Sequence, residues 1–293
     1  MTRTSSLNSG VEFTLPDEWF DDVTAAAFHL GGKHNQKSHG HGGGGPLATV
    51  DDSKIKKARE SYDARVGKAK TEGDVYGATP LGIGKPGAPP ENAEVVGALE
   101  NYAGSTGYYD VNQGLRNAHG HADEVVKPPA RAGSPPSKID SDEKLRGTID
   151  TMDRGMGSSH LSDDVVLHRV VADPESLFGS AYHRDGDNSG LTWMDHGFTS
   201  TTLSEHGISF QQGRLRGGTE APESGGQLVM RVLAPKGTHA LIGNNREGEI
   251  ILDRGLRFRV VRDHGIDDRT RRDMELKITR SYVRHVDVEI IDG

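Results

Sequence analysis

The chain has 293 residues, a formal charge of -8, a pI near 6.0 and no cysteine. The missing cysteines exclude disulfides, thiolate catalysis and cysteine-ligated zinc, so any nucleophile or base must be oxygen or nitrogen. The acidic balance excludes a surface built as a whole for nucleic acid. Hydrophobic residues make up 33% of the chain, glycine occurs 39 times and mean hydropathy is -0.63, so part of the sequence is expected to lie outside any packed core. No apolar run reaches the roughly 18 residues that span a bilayer, and no signal-like apolar stretch stands at the start. A soluble protein without a membrane partner is expected.

Residues 16–30 predict a short helix, with Trp19, Phe20, Val23, Ala27 and Phe28 at helical spacing. The following GGKHNQKSHGHGGGG, residues 31–45, has almost no apolar side chain to offset the entropy of ordering and reads as a flexible tether. Its His34, His39 and His41 lack a surrounding shell that could orient them on a metal, and no metal is expected. Residues 51–73 predict a charged helix with few apolar anchors, either solvated or partner-binding. The Gly- and Pro-rich residues 79–90 mark a boundary between an N-terminal arm, 1–90, and a folded domain, 91–293.

Beyond that boundary Val95, Val96, Leu99 and Tyr102 form one helical face, and Tyr108, Asn112, Leu115 and Arg116 lie on a second helix. A proline-rich loop at 128–136 precedes a third helix near 140–156. Strands follow at 165–171, 228–233, 248–252, 256–261, 274–278 and 286–291, each bounded by Gly, Pro or Asp. Helices before strands predict an α+β fold. Asp185, Asp187, Ser189 and Gly190 imitate the start of a calcium loop, but His196 stands where a bidentate Glu is needed, so a polar turn is expected. The Arg269 to Arg272 run reads as solvated surface, and neither a Walker A loop nor a Rossmann phosphate loop is present.

Three segments carry residues that a structural role explains poorly. Arg169 is a permanent cation inside the apolar strand VVLHRVV and requires an anionic partner if buried. GFTSTT, residues 197–202, sets an unbroken hydroxyl run behind Phe198, although a threonine-rich strand would also produce it. Glu247-Gly248-Glu249 places two acids two residues apart, which on extended backbone share a face; their repulsion would raise one pKa toward neutrality. A solvated acidic turn is the plain alternative.

In this order the segments resemble the R-S-E class of mono-ADP-ribosyltransferases, the ADP-ribosyltransferase exoenzyme family of clostridial binary toxins and arginine-specific ecto-transferases. The resemblance spans about 92–261. Tyr108, Val111, Asn112, Leu115 and Arg116 are similar to the family's Y-x-x-(I/V)-N-x-x-L-R signature, and LHR supplies Arg169. GFTSTT matches the S-T-S motif at Ser200 to Thr202, with Thr in the third place, and EGE matches the acidic pair. LAPKGTHAL is similar to the strand, P-x-G-T turn and strand before the acidic loop.

The resemblance implies helices preceding a mixed two-sheet core, NAD as cosubstrate, and catalysis by Arg169, Ser200, Glu247 and Glu249. His168, Phe198 and Thr201 join Arg169, Ser200 and Glu249 in the cofactor-binding set. Arg169 then binds the anionic part of NAD with its planar fork, which suits such groups better than an ammonium does. Ser200 orients Glu249, and Glu249 stabilises an oxocarbenium-like ribose as carboxylates do in glycosidases. Glu247 accepts the proton of an incoming arginine, a poor nucleophile while its pKa exceeds about 12. Glu in the first acidic position implies an arginine acceptor; Asn244 stands where family members often carry an aromatic residue.

KHNQKSHG also resembles a stretch in head-associated proteins of tailed bacteriophages. That implies a phage or prophage product, with partners in the head or virion and a target protein in the host cytoplasm. Other functions remain open: an NAD glycohydrolase, in which water replaces arginine, with automodification of the protein's own arginines beside it, and a non-catalytic virion component that keeps the fold. Free ADP-ribose without protein adducts would mark the first, and loss of any of the four catalytic residues would favour the last.

Overall fold

A computed structural model describes residues 2–6, 12–16, 52–71, 91–104, 106–130, 136–171, 174, 178, 181–203, 226–243, 248–266 and 282–291. Residues 17–30 of the expected helix, the tether at 31–45, the strand at 274–278 and the basic run at 269–272 lie outside these residues, and Pro16, expected to start that helix, ends a strand instead. In chain order the elements are β1 (Thr2–Ser6), β2 (Glu12–Pro16), α1 (Asp52–Val66), α2 (Glu91–Ala103), α3 (Gly107–Asn117) and α4 (Asp142–Gly157). Then come β3 (Val165–Val171), β4 (Thr192–Asp195), β5 (Thr199–Thr202), β6 (Gly226–Ala234), β7 (Ala240–Ile242), β8 (Glu249–Leu252), β9 (Leu256–Ile266) and β10 (Tyr282–Ile291). β1 and β2 pair as an antiparallel hairpin that the sequence reading did not foresee.

The other eight strands run in the order β4-β9-β10-β6-β3-β5-β8-β7, with only β6 and β10 parallel. The expected pair of sheets appears as two halves of this series. Five strands and three strands are joined between β3 and β5 by a single residue pair, His168 with Thr202. So narrow a joint lets the halves fold over one apolar layer: Leu167, Val171, Met230, Val232 and Val260 from one side meet Ala240, Ile250 and Leu252 from the other. The unbroken apolar run of β3 follows from burial on both faces. Leu167 and Val171 enter that layer, while Val166 packs on the outer face against Tyr62 of α1.

Helices α2 to α4 cover the outer face of the three-stranded half. Val95, Leu99 and Tyr102, then Val111 and Leu115, then Leu145, Ile149 and Met152 recur at three- and four-residue spacing and pack against Phe198, Leu241 and Ile251. Ser141 caps α4 by accepting a hydrogen bond from Lys144 N at 3.2 Å, with Asp142 and Glu143 at the positive end of the helix dipole. The C-terminus of α3 closes with Gly120 N on Leu115 O at 2.8 Å and His119 N on Arg116 O at 3.2 Å, while His119 takes φ 49. This Schellman closure ends the helix just after Arg116 and fixes that side chain in its last turn.

The charged helix read as solvated or partner-binding has its partner within the chain. Tyr62 and Ala58 of α1 are buried against Val166, Leu233 and Val261. Arg59 Nε donates to Val261 O at 2.9 Å, and Arg65 pairs with Asp164. Among the described residues no helix is long and apolar enough to cross a membrane.

Candidate active site

Strand parity decides which way each motif residue faces. In β3, Arg169 follows Leu167 and precedes Val171, so it enters the inter-sheet layer, whereas His168 turns to the opposite face. Arg169 is 8% exposed, and its Nη1 contacts Asp195 Oδ2 at 3.3 Å. Asp195 is the anionic partner that the sequence required without identifying. At 2% exposure it also receives Arg116 Nε and Nη2, one on each oxygen at 3.0 Å, the Gly197 amide at 3.1 Å and Thr199 Oγ1 at 3.4 Å.

Two guanidiniums therefore share one carboxylate. Burial alone would raise the Asp195 pKa, but Arg116 and Arg169 together hold it below the ordinary carboxylate range. Burial lowers the Arg169 pKa, with Asp195 opposing and Arg116 reinforcing that shift. Arg116, gripped through both nitrogens, ends above its usual value despite its burial. This node carries one positive charge in excess.

In the three-stranded half Ser200 lies opposite Ile251, and Thr202 lies opposite Glu249. Ile251 packs into the helical layer, so Ser200, Thr202 and Glu249 share the face turned toward α2 and α3. Thr201 points the other way and donates to Ile250 O at 2.6 Å. Ser200 Oγ lies 3.0 Å from the Tyr102 hydroxyl, which also accepts from Asn112 Nδ2 at 2.9 Å. Phe198, fully buried, meets the Tyr102 ring edge-on with centroids 6.2 Å apart.

The Tyr102 hydroxyl ties the helical layer to the strand that carries Ser200. Burial, foremost, and the Glu249 charge push its pKa up to about 12, while hydrogen bonds with Ser200 and Asn112 and the Arg169 charge act the other way. Ser200 touches this buried oxygen directly, while Glu249 and Arg169, 80 residues apart in the chain, act on it only through their charges and in opposite senses.

One sequence inference needs correction. The same-face argument for Glu247 and Glu249 assumed extended backbone, but Gly248 takes φ 60 and β8 begins only at Glu249. The backbone turns between the two acids, so two-residue spacing does not set their relation, and Glu247 and Asn244 lie outside the described residues. Glu249 itself is 4% exposed at the start of β8, and its carbonyl accepts from Gly243 N at 3.0 Å.

Sequence reasoning missed Asp195 and the role of Tyr102. The unexplained Arg169 was a signal for the first; Tyr102 looked like any apolar helix position. At 183–190 the calcium-like segment is a polar turn, with Asn188 bonded to His183 and Asp187 accepting from Ser189 N. Among the described residues no cluster of His, Asp or Glu could hold a metal ion.

No curated protein matches the chain at the sequence level. Solved structures similar to it include an ADP-ribosyltransferase from Clostridium botulinum, 14% identical over 80% of this chain and 95% of that one, with a TM-score of 0.44. C3stau2 from S. aureus, solved with NAD, is 14% identical over 83% and 97% of the two chains, with a TM-score of 0.45. The enzymatic component of the C2 toxin from Clostridium botulinum is 18% identical over 80% of this chain and 47% of its own, with a TM-score of 0.43. The family model for ADP-ribosyltransferase exoenzymes matches residues 89–282, about two thirds of the sequence. The chain belongs to the ADP-ribosyltransferase exoenzyme family, whose cosubstrate is NAD.

Proposed function

We propose that the protein transfers ADP-ribose from NAD to arginine side chains of a target protein. The observation that carries this reading is the contact of Ser200 with the buried Tyr102 hydroxyl on the face it shares with Glu249, next to the pairing of Arg169 and Arg116 with one buried carboxylate, Asp195. Arg169 supplies a planar guanidinium for the pyrophosphate of NAD, while Arg116, bound bidentately to Asp195, keeps that carboxylate from neutralising Arg169 alone. Ser200, held by Tyr102, positions the nicotinamide-ribose end together with Glu249. Of the other residues expected to bind the cofactor, Phe198 backs the site by packing on Tyr102, whereas His168 and Thr201 face away from Arg169 and from Ser200 and Glu249 respectively and are left out of the proposed site.

In the reaction the bond between ribose C1′ and the nicotinamide nitrogen breaks. Its electron pair passes to the nicotinamide, which leaves as a neutral ring, and positive charge develops on the ribose. Glu249 stabilises that charge electrostatically and accepts a hydrogen bond from a ribose hydroxyl. An arginine nitrogen of the target then bonds to C1′ and loses a proton to Glu247. The tailed-phage resemblance of residues 33–40 supports a host protein as target; finding the chain in purified virions by mass spectrometry would test that origin.

Two substitutions separate the roles. Glu249→Gln should lower both protein modification and NAD hydrolysis by about 100- to 1000-fold, the usual effect of removing one preorganised electrostatic contact. Glu247→Gln should abolish protein modification while NAD hydrolysis persists, because water needs less help than a guanidinium. Mass spectrometry of a lysate incubated with NAD and protein identifies the acceptor. Adducts confined to residues other than arginine would overturn the acceptor assignment, and free ADP-ribose without adducts would leave a glycohydrolase.

A further inference from the structure

We infer that Gly243 is a positioning residue of the active site, whose missing side chain makes the space in which the Glu249 carboxylate sits. The inference rests on the catalytic reading of Glu249 given above. Gly243 follows β7 directly, and its amide donates to the Glu249 carbonyl at 3.0 Å, so the two residues are fixed side by side where the chain leaves β7 and enters β8. A Cβ on Gly243 would overlap Glu249 Oε2 and stand 2.7 Å from Cδ and 3.0 Å from Cγ. All three of its nearest neighbours belong to this one side chain.

Backbone conformation does not explain the glycine. Gly248, on the other side of Glu249, takes φ 60 and occupies a left-handed turn that side chains rarely adopt. Gly243 is not among the positive-φ glycines, so alanine fits its backbone without strain. What alanine cannot do is coexist with the carboxylate where it now lies. Glu249 is buried and its backbone is tied to both Thr202 and Gly243, so relief must come from its χ angles, which swing the carboxylate away. Gly243 thus sets the position of Glu249 by exclusion: the carboxylate has one place to go because only a hydrogen occupies it.

A displacement of about 1 Å at a reacting centre commonly costs about 100-fold in rate. Gly243→Ala should therefore lower kcat for NAD cleavage by about 100-fold, with the Kd for NAD and the melting temperature near those of the native protein. A structural role would move the melting temperature instead. The discriminating partner is Glu249→Asp, which withdraws the carboxylate by one methylene and empties the space that the new methyl would take. Adding Gly243→Ala to Glu249→Asp should cost less than about threefold further, so the double variant matches Glu249→Asp alone.

An equal 100-fold loss from Gly243→Ala in both backgrounds would overturn the inference, since the methyl would then act on something other than the carboxylate. So would full activity of Gly243→Ala in a protein that Glu249→Gln inactivates, or failure of both alanine-containing variants to fold while Glu249→Asp folds. Full turnover in Glu249→Gln would instead remove the catalytic reading of Glu249, and this inference with it.

Discussion

Asp195 and Asp263 are both buried aspartates facing arginine, yet their surroundings differ in kind. Asp263 receives Arg284 through Nε at 2.8 and 2.9 Å and Nη2 at 2.6 Å, together with the Asn188 amide and side chain and the Gly265 amide. Arg284 spends its remaining donors on the carbonyls of His183, Arg184 and Gly186. One cation meets one anion with short bonds all round, and the result clamps the 183–190 turn to β9 and β10. At Asp195 the bonds are longer, from 3.0 to 3.4 Å, and two cations divide one anion. Charge balance at Asp263 is complete without a ligand; at Asp195 it improves when another anion arrives. Two buried aspartates thus differ in stoichiometry: one is a balanced clamp, the other a node with one cation in excess, which the proposed function makes the receptor for the cosubstrate.

The largest test of this contrast falls on the clamp. Asp263→Ala leaves Arg284 buried without its counter-ion and should cost about 3–5 kcal/mol in urea unfolding, the usual result of breaking one side of a buried pair. A loss under about 1 kcal/mol would show that the carbonyls alone hold Arg284. Acid should act similarly. Burial opposes ionisation of Asp263, yet Arg284 and the Asn188 and Gly265 amides hold its folded pKa below normal. Its contribution is therefore present above the unfolded carboxylate pKa of about 3.9 and is lost as pH falls below that value. Asp263→Ala should flatten the decline in stability below pH 4, and an unchanged slope would reject the assignment.

The receptor should respond in the opposite way. Arg169→Gln leaves Asp195 bound by both nitrogens of Arg116 and by the Gly197 amide, so stability should change little. NAD affinity should fall about 100-fold, or about 2.7 kcal/mol, and Arg169→Lys about 10-fold, because an ammonium keeps the charge but loses the fork. Calorimetric titration with NAD measures both. Equal affinity in all three proteins would remove Arg169 from the cosubstrate site.

Much of this architecture was legible beforehand, and the exceptions share a cause. The period-3.6 faces at Val95, Leu99 and Tyr102 and at Tyr108–Leu115, and the apolar run at β3, reported their burial directly because hydrophobic spacing is a local property, whereas Val96, counted on the first face, is exposed because it lies one position, about 100°, away from Val95. Arg169 announced a buried anion by being out of place. Which anion it was could not be read, since Asp195 lies 26 positions away on an edge strand of only four residues that lacks clear alternation. The N-terminal hairpin, Thr2–Ser6 with Glu12–Pro16, likewise sits in segments too short to declare a period. For EGE only the premise can be judged: a two-residue spacing implies one face on extended backbone, and Gly248 at φ 60 is not extended, while Glu247 lies outside the described residues. Gly243 carried no sequence signal: its importance is an absence of atoms beside a residue six places on.

The smallest effect concerns Tyr102, which stands between the helical layer and the site. Its ring packs as core, so Tyr102→Phe keeps the buried volume and removes only the oxygen shared by Ser200 and Asn112. Among the described residues Asn112 Oδ1 meets no hydrogen-bond donor, so losing the bond from Nδ2 strips a buried amide further. A cost of about 1 kcal/mol in stability is expected, the net value of a typical buried hydrogen bond with one side left wanting. Turnover should fall severalfold beyond what stability explains, because Ser200 loses the contact that fixes its rotamer on the strand opposite Glu249. Were Tyr102→Phe to lose 1 kcal/mol with kcat intact, the hydroxyl would belong to the core alone. Were kcat to fall with stability unchanged, Asn112 must have found a new partner, and the hydroxyl would act on the site through Ser200.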